Sequence, residues 1–492
     1  MPDRSPERSG IPLPLGPPRS GTWDDLPMAA STPPTTTLLI LGAGGDLTHR
    51  LLLPGIATLL MAERDRTLRI VGSDRVDMTA ADWRARIKES FATVKAPATV
   101  TRTGSRDTAY IKADILDPNS LQDLISSCGD GPLVIFFALP PSVTMKCCEL
   151  LQKIHLPHET RLALEKPFGT DFASARKFND LLSRVVPEDS IYRIDHFLGV
   201  NTVLNLIGLR FANRLFQPMW SNEHIEKVEV LYDEALALEG RAGYYDTAGA
   251  LRDMIQSHLI QVLALFAMES IATLDARELQ DQKAQVMRAM RLWNGDPVTA
   301  SRRARYTKGT SDGRRIPDYI KEPGVEASRL TETLAEITVE VANNRWAGVP
   351  FTMRSGKALG EVRKMIVVTF KDVAHLPHGF AGPSGSDTLV IGLKPGTVSL
   401  TLTMNAEGDP LDLEQKTLEA VLAPPRMQAY GEVLGQILDG SQLLTVRGDS
   451  AEECWRIVEP VLKAWAADKV PMETYAAGSR GPRNWATSRE HV

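Results

Sequence analysis

The fold of this chain is decided by Thr37-Leu38-Leu39-Ile40-Leu41-Gly42-Ala43-Gly44-Gly45-Asp46-Leu47. The first five residues form a β-branched and aliphatic run, which is typical of a buried strand. A glycine-rich turn follows at once, and apolar residues then recur near helical spacing from Leu51 to Leu60. Glycines in such a strand–turn–helix unit let backbone N–H groups approach a pyrophosphate, and the helix N-terminus favours its charge. The stretch therefore predicts a dinucleotide site.

A second strand is predicted at Leu68–Gly72, and the residues after it would meet the adenosine ribose of the dinucleotide. An acidic residue at this point suits a free 2′-hydroxyl, whereas an arginine suits a 2′-phosphate. The chain offers both Asp74 and Arg75, so the residues leave the choice between NAD and NADP open. A third strand is predicted at Leu133–Leu139 and ends at Pro140. Three strands of this kind together favour a dinucleotide-binding fold.

The chain divides into three segments that differ in composition and in hydrophobic pattern. Residues 1–35 are rich in Pro, Ser, Gly and Thr and predict a disordered extension. From residue 36 to 190 strands alternate with helical patterns, as in a doubly wound α/β sheet. From residue 191 to 492 several strands follow a helical stretch, which predicts an α+β domain on an antiparallel sheet. We expect a long surface loop at Arg302–Pro323, because this segment is charged and contains glycine.

Composition limits the class of protein. The 492 residues are 43% hydrophobic and 24% charged, which is ordinary for a soluble globular protein with a large core. A net charge of −5 gives no reason to expect a nucleic-acid partner. The four cysteines resemble no zinc pattern and favour buried thiols in a reducing compartment. With no apolar stretch of the ~20 residues that span a membrane and no signal peptide, we expect a cytoplasmic enzyme without a membrane partner.

Two Asp/His sets lie in apolar surroundings, Asp195-His196 and the segment from Asp253 to His258. A neutral imidazole has a pKa near ~6.5 and can act as a base at neutral pH. A carboxylate on its other nitrogen fixes the tautomer and steadies the imidazolium that forms. The pattern favours proton abstraction from a polyol. Taken alone, however, His258 is more simply interpreted as a core histidine, since the residues from Leu259 to Leu263 are mostly apolar.

Six blocks that recur in order along the chain carry a resemblance to a known family. They are Glu165–Gly169, Arg193–Gly199, Leu209–Arg214, Glu239–Asp246, Arg345–Phe351 and Arg354–Leu359. These blocks resemble the glucose-6-phosphate dehydrogenase family, and the similarity runs from about Leu38 to the C-terminus. The resemblance implies oxidation of glucose 6-phosphate at C1 to a lactone, the entry to the pentose phosphate pathway, with NADP as the usual acceptor. It also implies a Rossmann domain followed by a large α+β domain with a mostly antiparallel sheet, and a homodimer or homotetramer joined through that sheet.

The resemblance assigns the catalytic base to His258 and its orienting carboxylate to Asp195. It assigns contacts with the sugar hydroxyls to Asp253 and Glu234, although spacing alone describes Glu234 equally well as an exposed charge at a strand end. Because Asp253 precedes His258 by five residues, ~140° round an α-helix, we expect the two side chains to lie on different faces.

The resemblance also assigns the coenzyme site. Lys166 would lie between coenzyme and sugar, and its apolar neighbours favour a site role because an unpaired ammonium there would be costly. Asp74 departs from the family pattern and would repel a 2′-phosphate. The residues implied at the coenzyme are Gly42, Gly45, Asp46, Leu47, Arg75, Pro140 and Lys166.

The sugar phosphate is where the sequence departs most from the family. A phosphate is usually held by several cationic donors. Of the implied phosphate ligands, His196 and Lys357 are present, but Val200 and Val362 stand where the family has cations. Losing one charge-assisted contact costs about 1.5–3 kcal/mol, which is about ten- to a hundredfold in binding.

Arg363 and Lys364 adjoin the second neutral position and could replace its cation through a one-residue shift. Three functions stay open on this basis. The first is a glucose-6-phosphate dehydrogenase with a remodelled phosphate clamp, and the second is a related dehydrogenase for a different or unphosphorylated hexose. The third is a weakened paralogue with a regulatory role, against which the intact base and carboxylate argue. The histidine spacing predicts no metal site.

Overall fold

A computed structural model gives the structure of residues 35–382, 385–483 and 485. The predicted extension, residues 1–35, lies outside these residues except for Thr35. The strands are β1 (Thr36–Leu41), β2 (Leu68–Asp74), β3 (Thr108–Lys112), β4 (Leu133–Phe137), β5 (Thr160–Glu165), β6 (Ile191–Ile194), β7 (Ile225–Asp233), β8 (Met290–Leu292), β9 (Ser301–Thr307), β10 (Gly309–Ser311), β11 (Arg314–Ile316), β12 (Leu334–Val341), β13 (Phe351–Gly356), β14 (Arg363–Phe370), β15 (Thr388–Leu393), β16 (Gly396–Asn405), β17 (Leu413–Val421), β18 (Thr445–Val446) and β19 (Met472–Ala476).

The helices complete the architecture. The α-helices are α1 (Leu53–Ala62), α2 (Ala80–Thr93), α3 (Ala98–Arg106), α4 (Pro118–Ser126), α5 (Pro141–Leu151), α6 (Phe172–Leu182), α7 (Asn201–Phe211), α8 (Phe216–Met219), α9 (Ala242–Ala250), α10 (Ile260–Ala267), α11 (Ala276–Ala289), α12 (Ala429–Leu438) and α13 (Gly448–Ala466). Two π-helices cover Thr48–Leu52 and Leu251–Leu259, and a 3₁₀ turn covers His196–Gly199. Among the described residues, no helix combines the length and the apolar character that crossing a membrane requires.

The first sheet is the predicted doubly wound sheet, and it has seven strands in the order β18-β6-β5-β4-β1-β2-β3. Strands β1 to β6 run parallel, and only β18 pairs in the antiparallel sense. In β1, Leu38 and Ile40 pack into one core cluster, whereas Leu39 and Leu41 pack into a second. Both faces of the strand are therefore covered, which explains its uninterrupted apolar run.

Four strands of this sheet, β3, β5, β6 and β18, are not predicted from the sequence. The strand β3 lies at the sheet edge and is only partly buried, so it carries no apolar run. The strand β6 follows residue 190, and β18 comes from near the C-terminus of the chain. The sheet thus draws on residues beyond the predicted 36–190 segment, and β6 delivers Asp195 to its carboxyl end.

The second sheet confirms the predicted antiparallel architecture. Its strands follow the order β17-β16-β15-β14-β7-β13-β12-β9-β19, and β8 pairs with β12. Most neighbours are antiparallel, while β7 with β13 and β9 with β19 are parallel pairs. The central strand β7 ends at Asp233, so the residue that follows, Glu234, lies at the sheet's carboxyl edge beside β13 and β14.

The predicted surface loop at Arg302–Pro323 is wrong. Most of β9 and all of β10 and β11 fall in this segment, and β9 pairs with both β12 and β19. One of its charged side chains, Arg303, is only 3% exposed, and it is accommodated because it donates to Asp468 Oδ1 at 2.9 Å and to the Val470 carbonyl at 2.9 Å. Buried guanidinium groups that are fully paired fit inside a sheet, so charge alone did not indicate a loop.

Candidate active site

The centre of the site is a buried pair formed by His258 and Asp195. The distance between His258 Nδ1 and Asp195 Oδ1 is 2.5 Å, and the two residues are 1% and 2% exposed. Asp195 follows β6 directly, and its Oδ1 also accepts from the Phe197 backbone N–H at 2.9 Å. An ionised carboxylate only accepts hydrogen bonds, so Nδ1 carries the proton and Nε2 carries the lone pair. The pair is thus a base whose reactive nitrogen faces away from its carboxylate.

Lys166 occupies the reactive side of this imidazole. Its Nζ lies 2.8 Å from His258 Nε2, 2.8 Å from the Asp253 carbonyl oxygen and 3.1 Å from Asp253 Oδ1. It also donates to Ser257 Oγ at 3.3 Å. The ammonium of Lys166 is therefore paired, as its apolar neighbours in the sequence require. It connects the base, His258, to the carboxylate of Asp253, which lies on the same helix.

The expectation that Asp253 and His258 lie on different helix faces is wrong. Residues Leu251–Leu259 form a π-helix, and the Ile260 N–H donates to the Ile255 carbonyl five residues earlier. Hydrogen bonds from i to i+5 widen the turn, which brings residues five apart onto one side. Asp253 and His258 consequently share Lys166, an arrangement that the ~140° estimate for an α-helix could not give.

A buried glutamate holds the start of the π-helix. Glu332 Oε1 accepts from the Leu251 N–H at 2.9 Å. Gly249 just before it has φ +68°, and a Cβ there would lie 2.4 Å from the same oxygen. Burial raises the pKa of Glu332, although the Leu251 N–H opposes the rise. Only glycine leaves room for this cap, which sets where the helix that carries His258 begins.

The electrostatics of the pair suit a base. Burial lowers the pKa of His258, and the adjacent Asp195 only partly offsets that effect. Burial alone would raise the pKa of Asp195, but His258 and the Phe197 N–H bring it below its usual value. At neutral pH the imidazole is therefore unprotonated beside an ionised carboxylate, which is the state required to accept a proton.

Asp195, His196 and His258 also bring three atoms of metal-ligating type within 4.8 Å of one another. Both nitrogens of His258 are engaged, Nδ1 by Asp195 and Nε2 by the Lys166 ammonium. A metal cation here would be repelled by that ammonium at close range. The cluster is better described as a base with its carboxylate.

One cleft of about 700 Å³ collects most of the predicted site residues. On its nucleotide side it is lined by the glycine turn and by the end of β4, and on the other side by the second sheet and the π-helix. Gly42 belongs to the glycine turn and Asp195 is hydrogen-bonded to His258, but neither residue lines the cleft itself. The predicted residues in the lining are Gly45, Asp46, Leu47, Pro140, Lys166, His196, Glu234, Asp253, His258 and Lys357.

Five predicted residues do not line the cleft found among the described residues: Gly42, Asp195, Arg75, Val200 and Val362. Val200 packs against the apolar core, and Val362 is 52% exposed. Arg75 is exposed beyond the end of β2, where an extended dinucleotide reaches.

Glu234 is not an exposed charge at a strand end. Its carboxylate lies between two ammonium groups, at 2.8 Å from Lys357 Nζ and 3.0 Å from Lys364 Nζ. Burial would raise the pKa of Glu234, but these lysines lower it below its usual value. Lys364 also donates to Tyr232 Oη at 3.2 Å. Two positive charges around one carboxylate leave this corner of the cleft with a net positive charge.

The alternation of side chains along β14 decides whether Arg363 or Lys364 lies beside Glu234. Side chains at successive positions of β14 point to opposite faces. Arg363 binds the buried Asp233 at 2.6 Å, and so Lys364 is the residue that meets Glu234. Of the two cations that adjoin Val362, only Lys364 extends toward the cleft side of the sheet.

The glycine turn fits a dinucleotide pyrophosphate. Gly42 has φ +85°, and a Cβ at this position would lie 2.3 Å from the Ala138 carbonyl oxygen. The two oxygens of Asp74 are engaged by the backbone, since Oδ2 accepts from the Gly44 N–H at 3.1 Å and Oδ1 from the Arg75 N–H at 2.7 Å. The turn is thus compact and close to β4, as an approach of phosphates to the backbone requires.

Sequence reasoning missed several residues of the cleft. Glu165 precedes Lys166, and burial raises its pKa to about 7 although Tyr430 Oη donates to it at 3.0 Å. Tyr244 Oη donates to Asp253 Oδ1 at 3.2 Å. Tyr430 belongs to α12, 265 residues along the chain from Glu165, so no local pattern could have placed it here. Glu165 and Tyr244 lie inside the blocks of resemblance and could have been singled out there.

Two family profiles cover nearly all of the described chain. The profile described as Glucose-6-phosphate dehydrogenase, NAD binding domain matches residues 39–205. The profile described as Glucose-6-phosphate dehydrogenase, C-terminal domain matches residues 207–491.

Individual relatives and solved structures agree with these profiles. The chain is 38% identical over 463 residues to a glucose-6-phosphate 1-dehydrogenase of Gluconobacter oxydans, covering 90% of this chain and 94% of the relative. It is 34% identical over 469 residues to the enzyme of that name from Rhizobium meliloti, with 90% and 94% covered. The crystal structure of glucose-6-phosphate 1-dehydrogenase from Mycobacterium avium superimposes with a TM-score of 0.80 at 32% identity, over 92% and 96% of the chains. A glucose-6-phosphate dehydrogenase in complex with its substrate glucose 6-phosphate gives 0.82 at 28% identity, over 93% and 97%.

Proposed function

The chain belongs to the glucose-6-phosphate dehydrogenase family, and we propose that it oxidises C1 of glucose 6-phosphate to the lactone with hydride transfer to NADP. The observation that carries this proposal is the hydrogen-bonded series Asp195–His258–Lys166 in a cleft that also contains the glycine turn. A base, a dinucleotide turn and a positively charged corner in one cleft are what oxidation of a sugar phosphate requires.

The chemistry follows from the positions of these groups. When bound, the coenzyme supplies the acceptor for the hydride that leaves C1. His258 Nε2 accepts the proton of the C1 hydroxyl as the C1–O bond becomes a carbonyl, and Asp195 stabilises the resulting imidazolium. Because Lys166 Nζ lies 2.8 Å from Nε2, the C1 hydroxyl must take the place of this ammonium. Lys166 stays tied to Asp253, where it can donate to the sugar.

The proposed reaction is tested by following NADP reduction with glucose 6-phosphate and with glucose. We expect a strong preference for the phosphorylated sugar, because Lys357 and Lys364 leave a net positive charge that glucose would not neutralise. Equal rates with both sugars would overturn the proposed substrate and favour an unphosphorylated hexose. Reduction with neither sugar would favour the regulatory paralogue.

We further propose that Lys364 supplies a cation for the sugar phosphate, in place of those absent at Val200 and Val362. Its Nζ lies 4.3 Å from the centroid of the Tyr232 ring, and that ring packs 5.1 Å from Phe197, the neighbour of His196. Two aromatic rings, those of Tyr232 and Phe197, therefore connect Lys364 to the predicted phosphate ligand His196. His196, Glu234 and Lys357 line the cleft, and Lys364 reaches its edge by pairing with Glu234. This position supports a phosphate clamp in which the missing cation comes from β14.

We expect Lys364→Met to raise the KM for glucose 6-phosphate about ten- to a hundredfold, because one charge-assisted contact is lost. The kcat should change little, since Lys364 does not contact the base. Steady-state kinetics of this variant are compared with Lys463→Met, an exposed lysine paired with Glu459 on α13. Adding Val200→Lys to Lys364→Met should restore the KM. If Lys364→Met leaves the KM unchanged, Lys364 takes no part in holding the phosphate.

We propose that the chain prefers NADP to NAD, and the support for this comes from the contacts of Asp74 and the exposure of Arg75. Both oxygens of Asp74 accept backbone N–H groups, which reduces its repulsion of a phosphate. Arg75 is exposed, and no salt bridge engages it in the part of the chain that the structure describes. This arrangement supports a 2′-phosphate on Arg75 and therefore NADP, with NAD as the weaker alternative.

We expect Arg75→Ala to raise the KM for NADP about ten- to a hundredfold while the KM for NAD changes little. Asp74→Asn is the matched variant with the opposite effect, because it keeps an oxygen for the Gly44 N–H and removes the negative charge. It should lower the KM for NADP. The check is kcat/KM with each coenzyme; a preference that is unchanged by Arg75→Ala would assign the 2′-phosphate to another residue.

We also propose the two domains predicted from the sequence. Residues 36–190 bind the coenzyme, and residues 191–492 bind the substrate and form the subunit contacts. Exposed apolar side chains on the outer strands of the large sheet, Met404, Leu418 and Val421, support a homodimer or homotetramer joined there. Four free, buried cysteines support a reducing, cytoplasmic location. Sedimentation velocity tests the oligomeric state.

A further inference from the structure

An arginine of the second α-helix lies against the glycine turn. Arg86 belongs to α2, and its Nη1 donates to the Gly44 carbonyl oxygen at 3.0 Å. The Gly44 N–H in turn donates to Asp74 Oδ2 at 3.1 Å, and Asp74 Oδ1 accepts from the Arg75 N–H at 2.7 Å. A single residue of the turn therefore connects Arg86 to the end of β2, where the adenosine ribose of a dinucleotide binds.

A tyrosine of β3 places Arg86 near the same end of β2. Burial raises the pKa of Tyr110, Asp74 and Asp77 raise it further, and Arg86 lowers it. The charges of Asp74 and Arg86 thus both act on one phenol. Tyr110 Oη donates to the Val76 carbonyl at 2.5 Å, so the phenol is held at the segment that follows Arg75. Arg86 consequently lies close to Asp74 by two routes, through Gly44 and through Tyr110.

The guanidinium of Arg86 has donors to spare. It is half-buried, and no carboxylate forms a salt bridge with it within the described ranges of the chain. An arginine carries five N–H donors in a rigid fork, and the Gly44 carbonyl uses one nitrogen of that fork. The helix itself is fixed, because Trp83 and Ile87 are fully buried beside Arg86. A cation that is held in place with free donors is preorganised for an anion.

The charges at the end of β2 require such a second cation. Asp74 and Arg75 cancel each other, and Asp77 is paired with Lys112 at 2.8 Å. A phosphate monoester carries close to two negative charges, so a neutral pair by itself would attract it poorly. With Arg86 included, the groups around this end of β2 have a net positive charge.

We propose that Arg86 is a second guanidinium for the 2′-phosphate of the coenzyme, so that Arg75 and Arg86 together determine the preference for NADP over NAD. Arg86 keeps its hydrogen bond to the Gly44 carbonyl and gives its remaining N–H groups to the phosphate. NAD has a hydroxyl in place of this phosphate, so Arg86 contributes to the binding of NADP and little to that of NAD. This role of Arg86 rests on the coenzyme preference proposed above.

The test measures binding to the full-length protein by isothermal titration calorimetry. The probes are adenosine 2′,5′-bisphosphate and 5′-AMP, which differ only in the 2′-phosphate. We expect the wild type to bind the bisphosphate more tightly by about tenfold or more. Arg86→Met keeps the aliphatic stem and removes the charge. It should weaken binding of the bisphosphate about ten- to a hundredfold and leave the affinity for 5′-AMP nearly unchanged.

Two further variants complete the comparison. Arg84→Met is the matched control, because Arg84 is exposed on α2 and lies ~200° round the helix from Arg86; it should leave both affinities unchanged. Combining Arg86→Met with Arg75→Ala should make the two probes bind about equally, since both cations are then lost. An unchanged affinity of Arg86→Met for the bisphosphate would overturn the proposal. Equal weakening of both probes would also overturn it and assign Arg86 to the adenine or to the turn.

A crystal structure of the wild type with adenosine 2′,5′-bisphosphate decides the question even if Arg86→Met fails to fold. We expect Arg86 nitrogens about 2.7–2.9 Å from oxygens of the 2′-phosphate. A 2′-phosphate that contacts Arg75 without Arg86 would overturn the proposal.

The outcome is separable from that of the proposed function, because NADP reduction with glucose 6-phosphate is measured on the same samples. Turnover by a protein whose affinity for the bisphosphate does not depend on Arg86 removes only the role of Arg86. Binding of the bisphosphate through Arg86 in a protein that oxidises no sugar keeps that role and removes the function.

Discussion

His258→Asn is expected to lower kcat about 10²- to 10⁴-fold, the range that a positioned general base contributes. Asparagine has no nitrogen lone pair to accept the C1 proton, whereas its side chain still fits beside Asp195. The affinity for NADP should stay close to that of the wild type, because the glycine turn and Arg75 lie away from His258. Stopped-flow measurement of the hydride-transfer step, together with fluorescence titration of the coenzyme, checks both expectations.

The neighbouring imidazole provides a matched control. The ring centroids of His196 and His258 are 4.9 Å apart, and both residues line the cleft. Burial lowers the pKa of His196 to about 3, and His258 adds to the effect, so His196 is an uncharged ligand at neutral pH. His196→Asn should raise the KM for glucose 6-phosphate with a smaller loss of kcat. Near-normal turnover by His258→Asn would remove this residue from the role of base.

Asp195→Asn is expected to lower kcat about ten- to a hundredfold, the value of one charge-assisted hydrogen bond. Asp195 Oδ1 accepts from both His258 Nδ1 and the Phe197 N–H, while Oδ2 makes no such bond in the described residues. An asparagine oxygen in the Oδ1 position keeps both bonds, so the tautomer of His258 is preserved. The variant therefore removes the negative charge that stabilises the imidazolium and little else.

The pH dependence distinguishes this effect from misfolding. His258 works as a base only when unprotonated, and burial lowers its pKa below its usual value. The wild type should consequently stay active below about pH 6.5 and lose activity as the pH falls through the lowered pKa. Asp195 opposes that lowering, so Asp195→Asn should move the acid limb of kcat/KM to still lower pH. An acid limb that stays in place or moves upward would contradict the proposed coupling.

Much of the fold could be predicted because its signals are local. The run Leu38–Leu41 alternates between two buried clusters, and a Cβ at Gly42 would collide with the Ala138 carbonyl just after β4. Several segments with strand-like patterns predicted the antiparallel second sheet. The prediction of a loop at Arg302–Pro323 was wrong because a charged residue such as Arg303 can be buried in a strand when Asp468 and the carbonyl of residue 470 accept its hydrogen bonds. Sequence spacing does not reveal such partners.

The sequence by itself determined the strand–glycine–helix unit, the family, and which imidazole and carboxylates are candidates for chemistry. These depend on residue type and short-range spacing, which the backbone translates directly into strands, turns and helix faces. Only the tertiary structure decided that Asp253 and His258 share Lys166, because a π-turn replaces the α-helical spacing. It also decided that Lys364 rather than Arg363 meets Glu234, because Asp233 captures the arginine on the other face of β14. Contacts of this kind join residues far apart in the chain, and their geometry is set by packing of the whole fold rather than by any local pattern.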